Sequence, residues 1–189
     1  MEYLITPHAL PIEPFVWWEG AFTEQELNWL QEQAKNATQR AGTGGGINQD
    51  MRRSQIAWLS NTDDTKWVFA KLADVAAKIN AQYYRFALTG FGEPLQLTNY
   101  NQSENGMYGW HLDCGGGISR KLSMAVQLTD PSEYEGGNLQ VMAGGDPQNV
   151  RKQRGLIAIF PSYTIHQVTP VTQGSRQSLV AWVSGPAFK

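Results

Sequence analysis

The sequence predicts a mainly β fold in which helices pack on one face of a β-sandwich or barrel. Hydrophobic residues have helical spacing in two segments of the first half and a period of two from residue 88 onward. Nineteen glycines, nine prolines and 11% aromatic residues favour strands joined by turns over a helical bundle. Two helices followed by seven or eight short strands complete the argument for this architecture.

The length of 189 residues is typical of one domain, and it is sufficient for a core without disulfides. We expect N-terminal helical support over about residues 1–85 and a strand-rich unit over about residues 86–186. The formal net charge of −2 argues against a dedicated nucleic-acid binder. No apolar run reaches the roughly 18 residues of a membrane helix. No signal-peptide pattern is present either, so we expect a cytoplasmic protein with no membrane partner.

The first half begins with an extended segment over residues 1–20, in which we expect one strand. Thr23 and Glu26 have the spacing of a capping box, in which each side chain satisfies a free backbone amide of the first helical turn. Apolar residues with helical spacing follow, so a helix over about residues 24–36 is predicted.

A glycine-rich loop separates this helix from the next elements. Residues 39–50 contain four glycines and no apolar periodicity, which predicts a mobile loop. Residues 54–59 then have the pattern of a strand. A second helix is predicted over about residues 64–82 from its apolar stripe.

The second half consists of short strands with alternating side chains. They are predicted at residues 95–100, 121–129, 138–142, 155–160, 164–169 and 176–184. In the second of these, Ser123, Ala125 and Gln127 form a small or polar face, which we expect to line a cavity. The opposite, apolar face is expected to pack on the helices. By the same alternation Cys114 should be a packed thiol.

A candidate metal site is formed by three residues of this half. His111 and Asp113 stand at positions i and i+2, where side chains of a strand leave the same face. His166 follows 55 residues later on another short strand. Two histidines and one carboxylate form the facial triad of non-haem iron(II) oxygenases, which leaves coordination positions open. The His-x-Asp spacing by itself is a weak signal.

A candidate carboxylate-binding residue lies ten positions after His166. Arg176 and Ser178 share one face of a predicted strand whose remaining residues are apolar. An arginine at the start of a buried strand requires a partner, and its planar fork matches a carboxylate. Beside an open metal site, this suggests a dicarboxylate cosubstrate. The alternative is a charge on an exposed strand.

With these residues in this order, the chain resembles the 2-oxoglutarate- and iron(II)-dependent dioxygenases. The resemblance is to the prolyl 4-hydroxylase-like branch, which includes the bacterial and phage PKHD-type hydroxylases, and it covers about residues 50–186. The matching motifs are residues 100–113, 122–131, 134–139, 160–162 and 176–182. The resemblance implies a double-stranded β-helix (jelly-roll) core, with the catalytic jelly-roll at about residues 86–186. It also implies Fe(II), 2-oxoglutarate as cosubstrate, and ascorbate as a supporting reductant.

The resemblance also implies roles for individual residues. His111, Asp113 and His166 would bind iron, and Arg176 would pair with the distal carboxylate of 2-oxoglutarate. The further residues assigned to the cosubstrate pocket are Tyr100, Gln127 and Ser178. Gln127 stands where some relatives carry a tyrosine, and its amide can still donate a hydrogen bond.

On the substrate side, Tyr108, Arg52 and Trp182 are candidate contacts, and the loop over residues 39–51 is a candidate lid. The implied reaction is hydroxylation of a C–H bond, with decarboxylation of 2-oxoglutarate to succinate and CO2. A prolyl residue in a peptide or protein is the expected substrate, with dioxygen as co-reactant and no nucleic acid as partner. Two alternatives remain: the same chemistry on a free amino acid or small metabolite, and a non-catalytic jelly-roll binding module. The expected setting is a bacterium or a phage-infected host.

Overall fold

A computed structural model describes residues 13–43, 45–115, 117 and 119–187. Within these residues two α-helices, Glu24–Lys35 (α1) and Lys66–Ile79 (α2), accompany two antiparallel sheets. The strands are Val16–Trp18 (β1), Gln39–Arg40 (β2), Arg52–Arg53 (β3), Gln55–Leu59 (β4), Gly90–Phe91 (β5), Leu95–Asn101 (β6), Met107–His111 (β7), Arg120–Gln127 (β8), Tyr134–Gly136 (β9), Leu139–Met142 (β10), Pro147–Asn149 (β11), Ile157–Pro161 (β12), His166–Val168 (β13) and Val171–Ser184 (β14).

The larger sheet has the order β1-β12-β8-β14-β6-β4-β2, with β5 and β9 also paired to β14. The smaller sheet has the order β11-β10-β13-β7-β3. Strands that are adjacent in a sheet are mostly distant in sequence, as β14 beside both β6 and β8 shows. This arrangement confirms the predicted mainly β, jelly-roll fold with flanking helices.

Helix α1 begins at the predicted capping box. The Thr23 hydroxyl accepts a hydrogen bond from the Glu26 N–H at 3.3 Å, and the Glu26 carboxylate accepts one from the Thr23 N–H at 2.8 Å. Helix α2 has the predicted apolar stripe, and its last turn continues into a π-helical turn, Asn80–Tyr84. Among the described residues, neither helix is long and apolar enough to cross a membrane.

The main hydrophobic core lies between the helices and the larger sheet. Strand β8 shows the predicted alternation, because Leu122 and Val126 join this core while Ser123 and Ala125 line the cavity on the other side. Leu30 and Leu72, one from each helix, are fully buried against the apolar side of the sheet. The helices therefore support the sheet from outside, and the polar side of β8 is left for the site.

The first half supplies strands as well as helices. Strand β1 pairs with β12, and β2 and β4 extend the larger sheet beyond β6. The predicted loop over residues 39–50 therefore begins as a strand, and a β-bridge joins Thr43 to Gly46. Residues 1–12 of the predicted extended segment, and Gly44 of the loop, lie outside the described residues.

Strand β14 begins five residues before its predicted start at residue 176. The sequence Gln173-Gly174-Ser175 has turn-forming residues, yet Gln173 and Gly174 pair with β9 after a register shift, and Ser175 pairs with β6. Gly174 makes this possible, because its φ of +70° and its contact with the Glu133 backbone exclude a side chain. Arg176 consequently lies inside a long strand and not at its beginning.

Candidate active site

A cavity of about 560 Å³ is lined by residues of both sheets. The site residues predicted from the sequence all line it, with the single exception of Gln127. Those that line it are Arg52, Tyr100, Tyr108, His111, Asp113, His166, Arg176, Ser178 and Trp182. Residues that are up to 130 positions apart in sequence therefore converge on one space.

Two imidazoles meet where β7 and β13 pair. His111 and His166 are direct partners in this register, and their ring centroids are 4.1 Å apart. The Nδ1 of His111 lies 2.7 Å from the Gly109 carbonyl, and that of His166 lies 2.9 Å from the Thr164 carbonyl. Since a carbonyl oxygen only accepts, Nδ1 donates in both rings and leaves the Nε2 lone pair for a metal ion.

Asp113 completes the triad from outside the strand. Strand β7 ends at His111, so the i, i+2 alternation that we predicted for this pair does not apply. The Asp113 N–H instead donates to the Ser162 carbonyl at 3.0 Å, and the Ser123 hydroxyl donates to Asp113 Oδ2 at 2.6 Å. The potential ligand atoms of His111, Asp113 and His166 all lie within 4.8 Å of one another, which is a spacing that one ion can bridge.

The end of β7 also explains why the prediction for Cys114 was wrong. This thiol was expected to be packed, on the assumption that the strand continues past Asp113. The chain leaves the strand before that point, and Cys114 is exposed and lines the cavity.

The electrostatics of the triad favour binding of a cation. Burial lowers the pKa of His111 to about 4, and His166 acts in the same direction, so His111 is neutral at pH 7. Burial by itself would raise the pKa of Asp113, but the two histidines and the hydrogen bond from Ser123 outweigh it and lower the pKa. A carboxylate beside two imidazoles is a ligand set for a divalent transition-metal ion.

Arg176 is a buried cation with unused hydrogen-bond donors. Its side chain is only 2% exposed, and its Nη2 donates to Gln127 Oε1 at 3.0 Å. Its Nε and Nη1 are buried without a hydrogen-bond partner among the described residues. Buried donors normally have partners, so these two atoms indicate a site for an acceptor such as a carboxylate. Tyr100 and Ser178 line the cavity beside this group.

Gln127 holds the arginine and does not reach the cavity. It pairs with Ser178 in the sheet, two residues from Arg176, and its Oε1 accepts the hydrogen bond from the Arg176 guanidinium. Direct contact between Gln127 and a cosubstrate stays a prediction.

Tyr108 and Arg52 form a stack on the metal-binding side. The Tyr108 ring stacks on the His111 imidazole, with centroids 3.5 Å apart and planes at 13°. The Arg52 guanidinium lies 4.5 Å from the Tyr108 ring centroid. Arg52 also donates to Gln96 Oε1 at 2.6 Å and to Ser54 Oγ at 3.0 Å, so most of its donors are used within the protein.

Several further residues line the cavity, and Trp58 and Arg120 among them were missed as site residues in the sequence. Trp58 is 43% exposed and lines the cavity together with Trp182, with ring centroids 6.4 Å apart. Ser123 and Arg120 also line the cavity. The alternation of β8 did indicate a polar lining face that includes Ser123. Arg120 could have been found as a charge that opens a buried strand, by the reasoning applied to Arg176.

The chain is similar to known proteins over most of its length. The model of the 2OG-Fe(II) oxygenase superfamily matches residues 95–184. A PKHD-type hydroxylase of Hyphomonas neptunium is 31% identical over 171 residues, which cover 87% of this chain and 71% of the relative.

Two solved structures share the fold. A prolyl-4-hydroxylase from Pseudomonas putida superposes with a TM-score of 0.75 at 20% identity, covering 91% of this chain and 93% of that one. A prolyl hydroxylase from Trichoplax adhaerens, in complex with a hypoxia-inducible-factor peptide fragment, superposes with a TM-score of 0.78 at 14% identity. That alignment covers 92% of this chain and 84% of the other.

Proposed function

Because the chain belongs to the PKHD-type hydroxylases of the 2OG-Fe(II) oxygenase superfamily, we propose that it hydroxylates a prolyl residue of a peptide or protein. It is an oxygenase that uses Fe(II) and 2-oxoglutarate. In the proposed reaction, 2-oxoglutarate is decarboxylated to succinate and CO2 while one oxygen atom enters the substrate. The observation that carries the proposal is the meeting, in one cavity, of the His-Asp-His cluster and the unpartnered donors of Arg176.

His111, Asp113 and His166 would hold the iron. The ligand set fits Fe(II), since it combines two imidazole nitrogens with one carboxylate and leaves coordination positions open. Bound there, iron supplies the activation of dioxygen that no amino-acid side chain can provide. The carbonyls of Gly109 and Thr164 fix the two imidazole rings, so the ligand atoms stay oriented between turnovers.

Arg176 would bind the distal carboxylate of 2-oxoglutarate through guanidinium donors that no described residue uses. Gln127 holds Nη2 and thereby fixes the plane of the guanidinium, which orients the remaining donors. Tyr100 and Ser178 would form the walls beside the cosubstrate. Because Arg176 is buried, a carboxylate there exchanges water for a charge-assisted hydrogen bond in a medium of low dielectric constant.

The lining of the cavity supports an apolar peptide segment as substrate. Trp58, Trp182 and Leu112 contribute apolar surface to it, and Gly42 and Thr43 of the candidate lid also line it. A prolyl ring in an extended peptide packs well on aromatic side chains. The prolyl hydroxylases that share the fold, one of them in complex with a peptide, support the same substrate class. Tyr108 and Arg52 are the other proposed contacts.

Cytoplasmic location, stimulation by ascorbate and the division near residue 85 stay predictions.

The test combines two readouts on the purified protein. Succinate formation from 2-oxoglutarate is measured with Fe(II), using a set of proline-containing peptides and matched peptides in which alanine replaces proline. Mass spectrometry then locates any gain of one oxygen atom. We expect the proline peptides alone to stimulate succinate formation and to gain oxygen on the prolyl ring.

Other outcomes separate the alternatives. Succinate without a modified peptide would confirm the use of the cosubstrate and point to a free amino acid or small metabolite. A chlorinated product in chloride buffer would mean that the enzyme halogenates its substrate, and it would contradict hydroxylation. If no succinate forms with Fe(II) bound, the binding-module alternative replaces the enzyme.

A further inference from the structure

We propose that Arg120, held by Glu93, is a positioning residue for the metal-binding carboxylate of Asp113. The inference rests on the assignment of Asp113 as a metal ligand in the proposed function. It adds two residues that belong to neither the ligand set nor the carboxylate-binding group. Arg120 opens β8 and lines the cavity, whereas Glu93 lies just before β6.

Glu93 fixes the orientation of the Arg120 guanidinium. Nε of Arg120 donates to Glu93 Oε1 and Nη2 donates to Oε2, both at 2.6 Å. The Arg120 and Glu93 side chains are only 20% and 12% exposed, so water screens this pair weakly. A bidentate pair of this kind defines both the position and the plane of the guanidinium. One nitrogen, Nη1, is left to act elsewhere.

That remaining nitrogen binds the backbone of the metal ligand. Nη1 of Arg120 donates to the Asp113 carbonyl at 3.2 Å, while the Asp113 N–H donates to the Ser162 carbonyl at 3.0 Å. Asp113 lies beyond the end of β7, so no strand ladder holds its backbone. The bonds to Arg120 and Ser162 take the place of that ladder. Any shift of this backbone would move the carboxylate relative to His111 and His166.

The same guanidinium also orders the indole beside the carboxylate. Its central carbon lies 3.8 Å from the Trp182 ring centroid, which is a close cation–π stack. Trp182 pairs in the sheet with Ser123, whose hydroxyl donates to the Asp113 carboxylate, so the indole lies next to the group that holds this carboxylate. Arg120 therefore controls two of the surfaces that border the carboxylate.

The chain contains a matched pair away from the cavity. Arg151 is bonded to Glu19, and its guanidinium lies 5.2 Å from the Trp17 ring centroid. The three residue types are the same as in the Arg120 group, but none of these three residues lines the cavity. The Arg151 and Glu19 side chains are more exposed, at 58% and 42%, so a substitution of Arg151 measures what a solvent-screened Arg–Glu–Trp group contributes to stability alone.

The experiment measures the Mn(II) dissociation constant of the metal-free protein by titration calorimetry, without any substrate. The variants are Arg120→Lys, Glu93→Gln and the control Arg151→Lys, and each is also examined by thermal unfolding. We expect Arg120→Lys to weaken Mn(II) binding about tenfold, the usual scale for groups that support metal ligands. Glu93→Gln should weaken it in the same direction but less, and Arg151→Lys should bind as the unchanged protein does.

Several results would overturn the inference. Unchanged Mn(II) binding by Arg120→Lys would do so, and a raised KM for the peptide alone would then make Arg120 a substrate contact. Equal losses of Mn(II) affinity in Arg120→Lys and Arg151→Lys would mean that Arg120 contributes only to the general stability of the protein. If Arg120→Lys does not fold, Glu93→Gln decides the question. If the unchanged protein binds no Mn(II), the proposed metal site itself fails, and this inference fails with it.

Discussion

The floor and the mouth of the cavity are built in different ways. The floor, which we define as Tyr100, Arg176 and Ser178, lies on β6 and β14, where Arg176 pairs with Tyr100 in a continuous antiparallel ladder. The mouth, defined as residues 39–43 and 112–115, lies mostly outside the strands. Beyond the short strand β2, its backbone is held by isolated hydrogen bonds and not by a ladder, such as those from Asp113 to Ser162, from Arg52 to Gly42 and from Arg120 to Asp113.

This difference determines how precisely the backbone positions the residues of each region. A residue on a paired strand is positioned by many backbone bonds, so one substitution nearby moves it little. A residue of the mouth depends on one or two contacts and is displaced when they are lost. Asp113 is the exception. As a proposed metal ligand its carboxylate must be positioned precisely, and yet this residue lies in the mouth, beyond the end of β7. Substitutions in the two regions should therefore affect different kinetic constants.

The largest effect is expected from Asp113→Ala. Removal of the only carboxylate of the triad should lower metal affinity by about a hundredfold or more and reduce succinate formation to background. Calorimetry with Mn(II) and a succinate assay measure the two effects. Ser123→Ala, which removes only the hydrogen bond to that carboxylate, is the matched control. It should retain part of the metal affinity and part of the succinate formation. Full activity in Asp113→Ala would remove this residue from the metal site.

The next effect concerns the floor. Arg176→Gln deletes a charge and two donors that have no partner among the described residues, so the KM for 2-oxoglutarate should rise by about 10- to 100-fold. Mn(II) affinity should stay within about twofold, because Arg176 does not belong to the triad. Gln127→Ala should show the same pattern more weakly. An unchanged KM in Arg176→Gln would mean that the cosubstrate carboxylate binds elsewhere.

A smaller effect is expected from the mouth. Deletion of residues 43–46 should raise the KM for the peptide about three- to tenfold and leave turnover of 2-oxoglutarate without peptide unchanged. The reason is that Thr43 lines the cavity, while its hydrogen bonds are made with Gly46 and not with the triad residues. Steady-state kinetics with and without peptide measure the peptide KM and the peptide-independent turnover of 2-oxoglutarate separately. The lid hypothesis fails if the peptide KM does not change.

The smallest effect on catalysis is expected outside both regions. Thr23→Ala removes the cap of α1 and should lower the free energy of unfolding by about 1 kcal/mol. Activity per folded molecule should not change, because α1 packs on the apolar side of the larger sheet. Denaturant unfolding and the succinate assay provide the two measurements. Loss of specific activity would show that the helix layer is coupled to the cavity.

The floor could be predicted from the sequence because strand alternation is a local property. Arg176 and Ser178 were placed on one buried face by counting residues, and the structure bears this out. The cap of α1 and the apolar stripe of α2 were found for the same reason. The spacing of the triad, together with a recognised family resemblance, added the metal chemistry.

The mouth could not be predicted in the same way. The end of β7 at His111 changed the direction of Asp113 and Cys114, and no periodicity marks that end. The bond between Arg120 and Glu93 joins residues 27 positions apart, and the stack of Tyr108 on His111 depends on a ring orientation. Long-range side-chain contacts of this kind arise from the completed fold, and no local pattern encodes them.

The direct pairing of His111 with His166 links metal content to folding. An ion bound there fastens β7 to β13 and to the segment that carries Asp113, so it acts as a removable cross-link within the smaller sheet. Any ligand that binds only the folded chain shifts the folding equilibrium, by about 2.7 kcal/mol at a free concentration 100 times its dissociation constant. When iron is scarce, the smaller sheet should therefore be the first part of the molecule to open to proteases.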